Sequence, residues 1–272
     1  MKEFETPRPG STLKTIDKAL KLLGFFTTET PEFRLSDLAR TAGMDKVTTM
    51  RVLASLAHQG FVEQHPETKK YRLGTAILRL ARIREASSPL ISLLQPIVED
   101  LAKATGESAH SSLISGAGLT TIALAEPDRA TRVWINPTQV LPIHATASGM
   151  AYLAYSSPEV IDAMVPELKL QSFTASTIKS TRELRNMLET VRARGCAIAA
   201  RTFEDDTTGI GAPIFDWHGK VVGTVAAACM SSRLDATLQQ HIEKEVLRSS
   251  IAATQALGGL PRPDFLLKLD TQ

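Results

Sequence analysis

The stretch 34–60, RLSDLARTAGMDKVTTMRVLASLAHQG, constrains this chain more than any other. It reads as two short helices joined by a tight turn. Ser36 is a good N-cap residue, and a helix opening there carries Leu38 and Ala39 inward. Ala42-Gly43-Met44 is the corner, with Gly43 supplying the backbone freedom that a sharp turn needs. Asp45 caps the second helix, where its charge suits the N-terminal end of the helix dipole. Val47, Val52, Leu53 and Leu56 form the apolar side of that helix. Lys46, Thr48, Thr49 and Arg51 gather near its start, where a DNA-reading helix meets base edges and phosphates. A plain helical hairpin in a core is the alternative at this point.

The flanks favour the first reading. From Ser11 to Thr28, Leu13, Ile16, Ala19, Leu20, Leu23 and Phe26 recur at helical spacing, which predicts a helix packed on the other two. After Gly60, Phe61 and Val62 start a strand, His65-Pro66-Glu67-Thr68 turns, and Tyr71-Arg72-Leu73 returns. A helix-turn-helix followed by a hairpin is a winged helix. Lys69, Lys70 and Arg72 place cations on the wing, within reach of phosphate or a minor groove.

The net charge of +2 over 272 residues decides nothing, but its distribution does. Residues 1–90 carry 15 Lys+Arg against 10 Asp+Glu, and the rest carries 16 against 19. A basic head on an acidic body suits a nucleic-acid-binding domain joined to one that does not bind nucleic acid. No apolar run reaches the length of a membrane span, and MKEFETPRPG has no signal-peptide core, so a cytoplasmic protein with no membrane partner is expected. Cys196 and Cys229 lie among apolar residues without CxxC spacing, so they are expected to be core residues and no metal or cofactor is predicted.

Gly74 breaks the second wing strand, and Thr75–Ala86 reads as an amphipathic helix that Pro89 ends. A second domain follows. A helix from Leu90 to Thr105 leads to strands at Ser108–Ser115, Thr120–Glu126 and Thr131–Ile135. Helices follow at Ser148–Tyr155, Pro158–Met164 and Thr181–Arg194. CAIAARTF, Ile210–Phe215 and Val221–Met230 are the closing strands, and Leu234–Leu257 is a terminal helix. That order predicts an α+β body with helices on one face of an antiparallel sheet. The expected divisions are a disordered arm at 1–10, a winged helix-turn-helix at 11–74, a linker helix at 75–89, a body at 90–260 and a tail at 261–272.

The segments TIDKALKLLGFF, LSDLARTAGMDKVTTMRVLASLAHQGFVEQHPETKKYRLG, LPIHATASGMAYLA and GIGAPIFDWHGKVVGTVAAAC, in that order, resemble the isocitrate-lyase-regulator (IclR) family of bacterial transcription factors over nearly the full length. The resemblance implies a winged-helix domain that binds double-stranded operator DNA, a linker helix that helps pair subunits, and a GAF-like effector-binding domain. It implies homodimers or homotetramers that switch a catabolic operon when a small organic acid binds. It also implies an acid held by two backbone amides at the start of the HATASG helix, here Ala147 and Ser148. Family members often place Ser or Thr beside an aromatic or His before the recognition-helix Arg; here the run is Val47-Thr48-Thr49-Met50-Arg51. Where relatives that sense small carboxylates carry an Asp, a Cys and two serines, a gap-free alignment puts Ala199, Gly209, Ala226 and Ala228. With Val133, Leu141 and Thr207 these complete the expected effector pocket. Its lost polar groups favour an aromatic or otherwise bulky acid over pyruvate or glyoxylate.

The residues by themselves allow more than one chemistry. Thr146-Ala147-Ser148-Gly149 is a helix start able to hold a carboxylate, or a plain N-cap. His144 reads as a structural histidine or a ligand partner, and Glu204-Asp205-Asp206 as a solvated loop or a pocket mouth. Ser176-Thr177-Ile178-Lys179 matches the SxxK of serine hydrolases, but the companion SDN and KTG motifs are absent, so no enzyme is expected. A sequence-independent architectural DNA binder is the other alternative, and the large apolar body argues against it.

Overall fold

Helical spacing dominates the first sixty residues, and the computed structural model turns it into three helices; it describes residues 13–116 and 118–267. The chain divides into two units, residues 1–88 and 89–272. The expected arm at 1–10 lies outside the described residues, as does the end of the expected tail.

The first unit holds α1 (Lys14–Leu23), α2 (Leu35–Ala42), α3 (Lys46–His58), β1 (Val62–Gln64), β2 (Tyr71–Leu73) and α4 (Thr75–Ser87). Gly43 turns the chain between α2 and α3 at φ 65°, a left-handed corner that disfavours a side chain. The Asp45 carboxylate accepts the Thr48 amide at 2.7 Å and caps α3. Ser36 is not the cap of α2: the helix opens one residue earlier, after Arg34, without a side-chain cap. Leu22, Phe33, Leu38, Ala42, Val52, Leu53 and Val62 form the core. β1 and β2 pair antiparallel with Val62 opposite Leu73, and Phe33 forms an isolated antiparallel bridge to Tyr71 of β2.

Two apolar stripes are only partly covered within this chain: on the first, Ala19, Leu23 and Phe26 pack against the core. Leu13, Ile16 and Leu20, along α1, stay 68%, 53% and 61% exposed, because Leu22 is the α1 side chain that enters the core. On α4, Ala76 is buried while Leu78, Leu80 and Ile83 face solvent.

The second unit runs α5 (Leu90–Thr105), β3 (Ser108–Ser115), β4 (Gly118–Ala125), β5 (Leu141–Pro142), α6 (Ala147–Tyr155), α7 (Pro158–Glu167), α8 (Thr181–Arg194), β6 (Ala197–Ala200), β7 (Thr207–Phe215), β8 (Val221–Met230), α9 (Ala236–Ala256) and α10 (Pro263–Leu266). Its antiparallel sheet has the order β5-β4-β3-β8-β7-β6. The helices are not confined to one face. Residues 223–229 of β8 are all buried, so both faces of the centre are covered. The helices α5 and α9 pack together on one side, and α6, backed by α8, lies on the other.

Thr131–Ile135 is not a strand. Side chains take the carbonyls that a ladder would use: the Ser108 hydroxyl donates to Val133 O at 2.6 Å, and Arg233 donates to Thr131 O at 3.1 Å. Val133 and Ile135 pack on Ala228 as an irregular wall. Residues 261–267, expected as tail, include α10, whose Phe265 is fully buried edge-on to Tyr155 and Phe215.

Candidate nucleic-acid interface and ligand cavity

On α3 the inward side is Thr49, Val52 and Leu53, all buried, with Leu56 half-buried. Thr49 is 0% exposed, and its hydroxyl donates back to Asp45 O at 2.9 Å. It therefore cannot reach a base, contrary to the sequence expectation. Val47, assigned to the apolar inner side, is 63% exposed instead. The helix turns about 100° per residue, so a neighbour's placement does not carry over. Lys46 and Arg51 are exposed, and Thr48 is half-buried against the cap.

On the wing, Lys69 is exposed at the turn with φ 57°. Lys70 lies 3.7 Å from Glu32, and Arg72 is 3.2 Å from Glu63. These are surface pairs of small net worth, exchangeable for phosphate contacts.

In the second unit, α6 sits on β7 because the residues beneath it, Gly209 and Gly211, carry no side chain. A Cβ at Gly209 would come within 3.2 Å of the Ala147 Cβ, and one at Gly211 within 3.2 Å of the Ala147 carbonyl carbon. Ala226 and Ala228 continue the shallow surface on β8, opposite Gly211 and Gly209. Thr146 caps α6, accepting the Gly149 amide at 3.0 Å and donating to Pro142 O at 2.9 Å. Thr202 braces the approach by donating to Ala145 O at 2.6 Å.

All of α6 is buried, yet the Ala147 and Ser148 amides find no acceptor among the described residues. A buried helix start with free amides is an unmet demand for an anion. A cavity of about 640 Å³, its mouth included, opens at that point. A water occupies about 30 Å³ of liquid, so there is room for a small molecule.

The cavity brings together Val133, Leu141, Ala147, Ser148, Ala199, Thr207, Gly209, Ala226 and Ala228. His110, Trp134, Ile135, Asn136, Gln139 and Phe203 also line it, and none of these was singled out in the sequence. Glu204 lies at its edge and is exposed. Trp134, 63% exposed, stands at the rim.

His110 enters from β3, with its Nε2 3.1 Å from the Ser148 Oγ. Burial drives its pKa down to about 4, so the ring is neutral at pH 7. Its Nδ1 is buried without a partner among the described residues. His144 is outside the cavity: its Nε2 is 2.9 Å from Gln171 O, and its ring lies against Phe173.

Ser176 and Lys179 are exposed and outside this cavity. Burial raises the pKa of Cys196 to about 12 and that of Cys229 to about 11, so both are protonated core thiols. Among the described residues no cluster of His, Cys, Asp and Glu could hold a metal ion, and no helix is long and apolar enough to cross a membrane.

Comparison with known proteins places both units. A family model described as bacterial transcriptional regulator IclR C-terminal matches residues 86–254, and the IclR helix-turn-helix domain matches residues 15–66. The crystal structure of an IclR transcriptional regulator from a Silicibacter species is 36% identical, with a TM-score of 0.84 over 92% of this chain and 99% of that one. The HTH-type transcriptional regulator XynR of Escherichia coli (strain K12) is 23% identical over 90% of this chain and 98% of its own. An IclR homologue from Microbacterium hydrocarbonoxydans, solved with 4-hydroxybenzoate, is 20% identical, with a TM-score of 0.73 over 90% of this chain and 99% of that one.

Proposed function

Since this chain belongs to the IclR family of bacterial transcriptional regulators, we propose that it is a cytoplasmic regulator of a catabolic operon, switched by an aromatic or otherwise bulky organic acid. It is a DNA-binding transcriptional regulator with a C-terminal effector-binding domain, and its family is not enzymatic. The observation that carries the effector reading is the pair of free amides at Ala147 and Ser148, opening into a cavity walled by Ala199, Gly209, Ala226 and Ala228. The amides take the carboxylate. The small apolar wall leaves room for a ring and gains about 25 cal/mol for each Å² of apolar surface it buries. A two- or three-carbon keto acid leaves that wall empty. The relative solved with 4-hydroxybenzoate agrees with this choice.

On the DNA side, Lys46, Thr48 and Arg51 face the operator from α3, while Lys69, Lys70 and Arg72 hold phosphates from the wing. The chain works as a homodimer or homotetramer on an inverted repeat, because a two-fold assembly presents two identical recognition helices. The uncovered Leu80 and Ile83 of α4, beside half-buried Ile77, support pairing through the linker helix, which joins the DNA-binding unit to the effector-binding one.

Calorimetric titration tests the effector. Benzoate-like acids should bind and pyruvate should not; tight binding of pyruvate with none of benzoate would overturn the reading.

A further inference from the structure

The outward face of α3 is not the polar surface that a DNA-facing helix ordinarily shows. Val47 is 63% exposed and Met50 is 47% exposed, one turn apart in the first half of the helix. Arg51 and Ala54 continue the same exposed face, and Lys46 flanks it. The inner face is already complete with Thr49, Val52 and Leu53, so neither side chain has a place in the core. Single exposed apolar residues need no explanation. Two large ones on the base-facing side of a recognition helix, between two cations, do need one.

The cations fix what can approach: the polyanionic duplex. A B-DNA major groove offers one apolar feature, the C5-methyl group of thymine. We propose that Val47 and Met50 read thymine C5-methyl groups in each half-site of the operator, beside the bases or phosphates met by Lys46 and Arg51. This rests on α3 being the recognition helix. Sequence preference then comes from two sources. Arg51 hydrogen-bonds a base edge, and the apolar pair selects thymine by burying its methyl. Cytosine opposes that pair twice over, because it lacks the methyl and leaves its amino group unpaired against an apolar surface.

Uracil in place of thymine removes the methyl and leaves the pairing edge intact. A site selected from a random duplex library by the full-length protein would be resynthesised with deoxyuridine at one thymine at a time. Wild-type affinity should fall roughly fourfold for each contacted methyl, the worth of burying one carbon group, and roughly sixteenfold when the same position is changed in both half-sites. Val47→Ser and Met50→Ser are surface changes that should leave the melting temperature in place. Each should weaken the thymine site to a similar degree and lose the thymine–uracil difference at its own position only.

Selected sites without a preferred thymine, wild-type indifference to uracil, or variants that keep the full thymine–uracil difference would each overturn the proposal. Arg51→Ala separates the two layers. Lost operator affinity with no uracil effect removes only the methyl contact, whereas unchanged affinity removes the recognition-helix reading itself.

Discussion

The cavity beneath α6 and the outer face of α3 are built on different periodicities, one largely on strands and one on a single helix. All nine residues expected around the effector line one cavity. Of the four expected on the helix, Thr49 points into the core, and two residues not chosen, Val47 and Met50, point out. The cavity wall comes from adjacent strands, where side chains alternate between two faces, so a residue placed two positions from a known one shares its face. On a helix a shift of one residue swings a side chain by about 100°, and β-branched threonine suits either environment. For Ala199, Thr207, Gly209, Ala226 and Ala228, all on β6, β7 and β8, the two-residue period keeps a placement on the right face, which the helical period of α3 does not.

The largest effect expected concerns the cavity wall. Ala226→Leu adds three carbons to a floor where a Cβ at Gly211 would already lie 3.3 Å from the Ala226 Cβ. Titration of the variant should show effector binding abolished, with operator affinity kept. Loss of both would mean that the sheet had been overpacked, which costs typically about 1–3 kcal/mol and shows as a lower melting temperature.

His110 gives the next largest. Its pKa is about 4 in the fold and 6.5 in the reference state, so between those values the unfolded chain binds the extra proton. Stability is therefore fully present above pH 6.5 and is lost as pH falls toward 4, by up to about 3 kcal/mol. Urea unfolding at pH 7 and pH 5 should show this drop, and His110→Gln should flatten it. An equal slope in the variant would place the proton uptake elsewhere.

His110 also marks where legibility ended. The order of elements was open to inspection, because amphipathic periods and Gly/Pro punctuation place most helices and strands to within a few residues. A lone histidine between Ala109 and Ser111 carries no such period, and its role depends on Ser148 of a helix 38 residues away. The polar run Ser108-Ala109-His110-Ser111-Ser112 in a buried strand was the available signal, since buried polar groups need partners. Thr131–Ile135 failed for a related reason. Its apolar run Val133-Trp134-Ile135 is real, but the Ser108 and Arg233 side chains occupy carbonyls of the segment. The apolar stripes of α1 and α4 are legible as stripes, and part of each stays exposed in the chain by itself.

A paired substitution on the recognition helix sharpens the contrast between its two sides. Arg51→Ala should weaken operator binding by roughly 1–3 kcal/mol. Thr49→Val removes only the hydroxyl bond to Asp45 O, so it should lower fold stability by about 0.5–1.5 kcal/mol and leave operator affinity within about twofold. Band-shift titration beside thermal melts reads both quantities. A large operator defect in Thr49→Val with normal melting would put Thr49 back in the groove.

The smallest effect belongs to Glu204 at the cavity edge. Its side chain is exposed, so water and salt screen it. It nevertheless carries the same sign as a bound carboxylate. Replacing it by glutamine removes a like charge from the entrance and leaves the amides of Ala147 and Ser148 untouched. Affinity for an acid effector should rise by less than about threefold at low ionic strength, and the gain should vanish near 1 M salt, where the screening length is about 3 Å. The corresponding neutral amide ligand should show no gain. Equal gains for acid and amide would mean that Glu204 acts by shape at the mouth rather than by charge. A loss for the acid would mean that the carboxylate instead donates order to the rim beside Thr207.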